Sequence, residues 1–292
     1  MRSLCSYWAF RFYMYLMMVM VYCLSFRMAK YVLSCLAYCL SILIPPKAIT
    51  IMHKNLALVY PQMTAKEREK LIQENIADFL MMSYFQALSF YGSSRHFNKI
   101  KRKGFEQVEE WLNTGERVIL VWPHWHSLEC VGRIVGEMTG SFVGVKRNLN
   151  NPLIDAYVTR VREYYCEDIS HKDMRSIYRH LKQPGSMLGI LPDQYMKGVQ
   201  THFLGVRTQR TDSVARLANR FNAKVVVVDM KMDVCQQSIA LVPLALTGDI
   251  AQDHQALFDL MSHLILNNPK HYLWNYNLFK CTKWSNKVNH TV

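Results

Sequence analysis

Apolar positions along the chain follow three patterns. Residues 12–26, FYMYLMMVMVYCLSF, carry no charge, and the run reaches back through residues 7–10 with only Arg11 interrupting. That length is about what a helix needs to cross a bilayer, provided the Arg11 head group reaches an interface. Small residues of the kind that precede a signal-peptide cleavage site are missing from the neighbourhood of Val21, Tyr22 and Cys23, so the pattern predicts an anchor. A second apolar segment, residues 31–44, is shorter and ends at Pro45-Pro46; it predicts a helix lying in the interface or on the domain. Arg27, Lys30, Lys47 and Lys54 follow the anchor and outnumber the basic residues before it, which keeps the remaining chain on the cytoplasmic side. The expected division is residues 1–46 as anchor and interfacial helix, and residues 47–292 as one folded domain.

The second pattern is helical. Thr64 and Glu67 have capping-box spacing, and Leu71, Ile72, Ile76, Phe79 and Leu80 recur at helical intervals behind them. The third pattern, from residue 117 on, alternates short apolar runs with helical segments. Strands are predicted at 117–122, 142–145, 187–191, 224–230 and 238–246. Helices are predicted over about 127–138, 152–165, 172–182, 212–221 and 254–267. This rhythm predicts an α/β fold: a largely parallel, mixed sheet flanked by helices on both faces.

Composition adds partners to this picture. At 292 residues, half of them hydrophobic, the chain can bury a sizeable core. The net charge of +13 predicts an acidic partner: a membrane surface, a phosphorylated substrate, an acidic protein or a nucleic acid. Zinc-finger spacing and the signatures of nucleic-acid-binding folds are absent, which with the anchor disfavours nucleic acid. The eight cysteines form neither a CxxC pair nor a regular framework and read as buried thiols of a reducing compartment. No GxGxxG or GxxxxGK loop supports nucleotide chemistry, and no GxSxG elbow supports a serine hydrolase.

Chemistry concentrates where the first core strand stops, in VILVWPHWHSLEC. In open α/β sheets a site forms at the carboxyl ends of strands, and His124 follows Pro123 there. With a helix starting near Ser127, Glu129 falls in its first turn and is within reach of His124. A carboxylate on one ring nitrogen fixes the tautomer and raises the basicity of the other, making a dyad able to take a proton from a hydroxyl. The same spacing also suits a strand-end histidine satisfied by capping. His126 makes a His-x-His pair, but no carboxylate or thiol stands at the spacing of a recognisable zinc site, so no metal is expected.

Three segments carry a resemblance that runs from the anchor to about Lys280: HKNLALVYPQMTAKEREKLIQENIADF at 53–79, HWHSLE at 124–129, and VGVKRNLNNPLIDAYVTRVREYY at 143–165. LPDQ at 191–194, FLGV at 203–206 and YLWNYNLFK at 272–280 support it. The chain resembles the late, or secondary, acyltransferases of lipid A biosynthesis, the lauroyl/myristoyl transferases of the lysophospholipid acyltransferase superfamily. The resemblance implies an inner-membrane enzyme that moves an acyl group from acyl carrier protein, or coenzyme A, to a hydroxyl of a phosphorylated glycolipid. It needs no cofactor, because the donor thioester is already activated. It implies His124 as general base with Glu129 as its orienting partner, Arg162 as a charged site residue, and Arg147 and Asp193 as substrate-positioning groups. Leu278 departs from the pattern, since many relatives carry a basic residue there. An acyltransferase for another membrane lipid, such as a glycosylated phosphoinositide or an aminolipid, and a non-catalytic membrane scaffold are the alternatives.

Overall fold

The computed structural model describes residues 2–24, 28–29, 31–33, 45–93, 97–139, 142–232 and 237–280. Most of the second apolar segment expected at 31–44 lies outside them. The described helices are α1 (Arg2–Cys23), α2 (Pro46–Val59), α3 (Ala65–Tyr91), α4 (Phe105–Asn113), α5 (Leu128–Thr139), α6 (Pro152–Arg162), α7 (Met174–Leu181), α8 (Ser213–Phe221) and α9 (Ile250–Asn267). The strands are β1 (Lys101–Lys103), β2 (Val118–Val121), β3 (Val143–Lys146), β4 (Glu167–Ser170), β5 (Met187–Ile190), β6 (Val199–Phe203), β7 (Val206–Arg210), β8 (Lys224–Met232) and β9 (Gln237–Leu244).

Seven strands form one sheet in the order β1-β9-β8-β2-β5-β3-β4, with every neighbouring pair parallel except β8 and β9. β2 and β5 are buried at every position, as central parallel strands covered on both faces must be. The edges are polar: β1 is KRK, fully exposed, and β4 is EDIS, so neither offers an apolar strand for another chain to pair with. Gly189 in β5 is required by packing, since a Cβ there would lie 2.3 Å from the ring of Phe142 and 2.8 Å from Trp122. β6 and β7 make a separate hairpin whose two-residue turn, Leu204 and Gly205, has φ of 55° and 75°. Positive φ at both central positions matches the right-handed twist of a hairpin, and this turn is the centre of FLGV.

The capping box forms as expected: the Thr64 amide donates to Glu67 at 2.8 Å and the Glu67 amide to the Thr64 hydroxyl at 3.3 Å. α1 packs along α3 and α6. Met14, Met17, Met20 and Val21 join the common core, while Leu4, Trp8, Phe12, Tyr15, Leu16 and Tyr22 face outward. Residues 4–23 form a helix long and apolar enough to cross a membrane. Arg11 lies with its guanidinium over the Tyr157 ring of α6 at 4.9 Å. The expectation of uniformly buried thiols is corrected on this helix, where Cys5 and Cys23 are exposed; Cys130 and Cys166 are buried.

Candidate active site

β2 and β5 are parallel neighbours with Val121 opposite Ile190. Beyond that pair three residues follow each strand, Trp122-Pro123-His124 after β2 and Leu191-Pro192-Asp193 after β5. Proline cannot donate a ladder hydrogen bond, so both chains leave the sheet at the same level and deliver their next residue to the same place. There the His124 ring donates from Nδ1 to Asp193 Oδ1 at 2.6 Å, and the His124 amide donates to Oδ2 at 2.9 Å. The Tyr272 hydroxyl donates to Oδ2 at 2.9 Å. Asp193 is fully buried; burial alone would raise its pKa, but the neighbouring His124 and the hydrogen bonds from its ring, its amide and the Tyr272 hydroxyl outweigh it and hold the carboxylate below its ordinary value. With Nδ1–H committed to a carboxylate, Nε2 is the lone-pair nitrogen. It meets the Gln194 side-chain amide at 3.1 Å, and the ring keeps 19 % of its side-chain surface exposed.

Glu129 faces another way. Arg162 donates to it from Nε at 3.0 Å and from Nη2, and the Tyr165 hydroxyl donates to Oε2 at 3.0 Å. The direct bond expected between Glu129 and His124 is therefore not made: both carboxylate oxygens are committed to α6 and the turn after it. Arg162 continues to Asp168 Oδ2 at 3.5 Å, which Lys146 approaches at 3.7 Å. Burial works against the Arg162 charge, but Glu129 and Asp168 outweigh it and raise the guanidinium pKa. The network ties α5, α6, β3 and β4 together.

The other expected residues separate. Asp193, expected to touch substrate, has no exposed surface and is hydrogen-bonded to His124. Arg147 is exposed in the segment after β3 and has no ion pair among the described residues. His126 is buried, with its Nδ1 2.8 Å from Asp78 on α3. The amides just after His124 are engaged, Trp125 by the Pro123 carbonyl and His126 by that of His271. Leu278 is a core side chain, and its carbonyl accepts from Arg210 at 3.1 Å.

Sequence reasoning missed Tyr272 and two buried asparagines that position it. Asn75 donates to the carbonyls of Lys270 and Tyr272, both at 2.8 Å, and Asn55 to those of Trp274 and Tyr276, both at 2.7 Å. An irregular segment in a protein interior needs partners for its backbone, and one amide group supplies two donors. Both asparagines belong to the 53–79 segment, and the carbonyls they hold belong to YLWNYNLFK or border it.

Comparison with known proteins gives the family. The pattern of a family described as bacterial lipid A biosynthesis acyltransferase matches residues 2–281. A lipid A biosynthesis palmitoleoyltransferase of Escherichia coli (strain K12) is 28 % identical over 242 residues, which cover 79 % of this chain and 78 % of the relative. A lipid A biosynthesis acyltransferase of Haemophilus influenzae is 31 % identical over 134 residues, 45 % of this chain and 42 % of that one. A lipid A biosynthesis lauroyltransferase of Escherichia coli is 28 % identical over 146 residues, covering 49 % and 47 %. With the family pattern running the length of the sheet, the site and the amino-terminal helix, this chain belongs to the bacterial lipid A biosynthesis acyltransferases.

Proposed function

We propose that the protein transfers a fatty acyl chain from an acyl carrier protein thioester, or less readily from coenzyme A, to a hydroxyl of a lipid A precursor at the cytoplasmic face of the inner membrane. The observation that carries the catalytic part is the fully buried Asp193, whose carboxylate bonds the ring Nδ1–H of His124 and leaves Nε2 free to accept a proton. A substrate hydroxyl takes the place of the Gln194 amide at Nε2 and loses its proton to it as the oxygen attacks the thioester carbonyl. The tetrahedral intermediate collapses with cleavage of the C–S bond, and His124 returns the proton to the departing thiolate. Gln194, already 3.1 Å from the reacting nitrogen, offers its side-chain amide to the oxyanion. Glu129 acts through Arg162, holding the first turn of α5 and hence the loop that bears His124. Residues 1–46 serve as anchor, with the outward Trp8, Phe12 and Tyr15 meeting lipid, and residues 47–292 carry the chemistry. The net charge of +13 suits two acidic partners, the phosphorylated glycolipid and the carrier protein.

Purified variants test this reading. His124→Ala and Asp193→Asn each lower the rate of acyl transfer by about 10²–10⁴-fold, the usual worth of a positioned base. Because the two act as a unit, the double variant loses little more than the worse single one. An Asp193→Asn enzyme that keeps wild-type turnover would return the orienting role to another carboxylate.

A further inference from the structure

Asp78 lies on α3, outside the dyad, with its carboxylate between two histidines. His126 Nδ1 is hydrogen-bonded to Oδ2 at 2.8 Å, and His271 Nδ1 stands 2.8 Å from Oδ1 without the alignment of a hydrogen bond. All three side chains are at least nine-tenths buried. A buried carboxylate with two imidazoles is costly to assemble without a task, because each polar group must find its partner inside the protein.

The backbone between the two histidines indicates the task. The His126 amide donates to the His271 carbonyl at 2.9 Å, and the Leu273 amide donates to the His124 carbonyl at 3.1 Å. Trp125 and Tyr272 are opposite one another in an antiparallel bridge. Residues 124–126 and 271–273 thus form a short two-stranded ladder, and its members His124 and Tyr272 are both hydrogen-bonded to Asp193. Asp78 holds the other end of the same ladder, one side chain from each strand. Its neighbours on α3 add to the grip: Asn75 donates to the Lys270 and Tyr272 carbonyls, and the Phe79 ring stands edge-on to His126 at 5.4 Å.

We propose that Asp78 is a positioning residue for acyl transfer: by clamping His126 and His271 it sets the register of the ladder that presents both His124 and Tyr272 to Asp193. The inference rests on His124 as base, and it gives α3 a part in aligning that base. A clamp of this kind acts on geometry at the reacting nitrogen and touches no substrate, so its loss is read in turnover and not in binding.

The test uses the full-length enzyme in detergent, with lauroyl-, myristoyl- and palmitoleoyl-acyl carrier protein as donors and a lipid A precursor lacking secondary acyl chains as acceptor. Asp78→Asn and His126→Ala lower kcat by about 10- to 100-fold, the effect of a small misplacement at the reacting atoms, while KM stays within about twofold. His126→Asn, whose amide nitrogen can occupy the place of Nδ1 and donate to Asp78, recovers about tenfold of what His126→Ala loses, because geometry and not imidazole chemistry is being restored. Wild-type kcat in either Asp78→Asn or His126→Ala, or His126→Asn no better than His126→Ala, overturns the inference. Should Asp78→Asn fail to fold, the comparison of the two His126 variants decides alone. A fully active His124→Ala enzyme overturns the base assignment itself; an inactive His124→Ala beside a fully active Asp78→Asn overturns only the clamp.

Discussion

Asp193 has no contact with solvent, so its charge is maintained by His124, the His124 amide and Tyr272. Its native pKa is depressed, so its contribution to stability is complete above the ordinary aspartate value of about 3.9 and is lost as pH falls through the depressed value. Asp193→Asn removes one partner of a buried pair, which costs roughly 3–5 kcal/mol near neutral pH. Thermal unfolding of both proteins in detergent will show the wild-type advantage shrinking as the solution is acidified through that window; an advantage independent of pH would mean the charge is not what matters. Burial pushes the Cys130 and Cys166 thiols up to about 12, so both stay unmodified by iodoacetamide at about pH 8, while exposed Cys5 and Cys23 react in detergent, as peptide mass mapping will record. His124 stands out in the sequence because it follows a buried strand that stops at a proline, a place that equally suits a strand-end histidine satisfied by capping. Its partner stands out less. Glu129 is five residues away and within reach, but nearness in sequence does not say which way a first-turn side chain points, and this one turns to Arg162. The available signal is a repeated one: an apolar run, one bulky apolar residue, proline and then a polar residue, in VILVWPH and again in MLGILPD.

The central elements are legible for a physical reason. β2, β5 and β8 are apolar because both sheet faces are covered, and the helices between them are amphipathic because they do the covering. β4 and the β6–β7 hairpin are not legible, since EDIS is a polar edge and VQTHF and VRTQR read as loop without their partners. The described helices α2 and α3 hold the irregular 270–276 segment through Asn55 and Asn75. Asn75→Ala takes the side-chain donor from the Lys270 carbonyl and leaves the Tyr272 carbonyl with the Trp274 amide alone, at a cost of about 1–3 kcal/mol for an unsatisfied group. Asn55→Ala should cost a similar amount, and the pair should be non-additive because both grip one segment. Denaturation midpoints of the two single variants and the double variant check this; strict additivity would mean the segment does not move as a unit. Gly189→Ala drives a methyl group into Phe142 and Trp122 and costs about 1–3 kcal/mol, the range for overpacking a filled core.

At the scale of the molecule, the amino-terminal helix is long and apolar enough to cross a membrane and is also part of the fold. Its length and apolarity are legible in the sequence. Its docking is not, because an all-apolar helix does not announce which side meets protein. The inward face of Met14, Met17, Met20 and Val21 buries side chains worth about 1.5–3 kcal/mol each. Removing residues 2–23 should therefore weaken membrane attachment and also destabilise the remainder, seen as a lower melting temperature and aggregation in detergent; loss of attachment with unchanged melting would mean that α1 stands apart from the domain. The most direct test of the whole account is mass spectrometry of lipid A from cells lacking this protein, complemented with wild type or with His124→Ala at equal abundance. Wild type should add the mass of one acyl chain to lipid A, naming the chain length at the same time, and His124→Ala should leave the lipid A of the deleted strain unchanged. Restoration of the acyl chain by His124→Ala, or no change in lipid A with the wild-type protein, would contradict it.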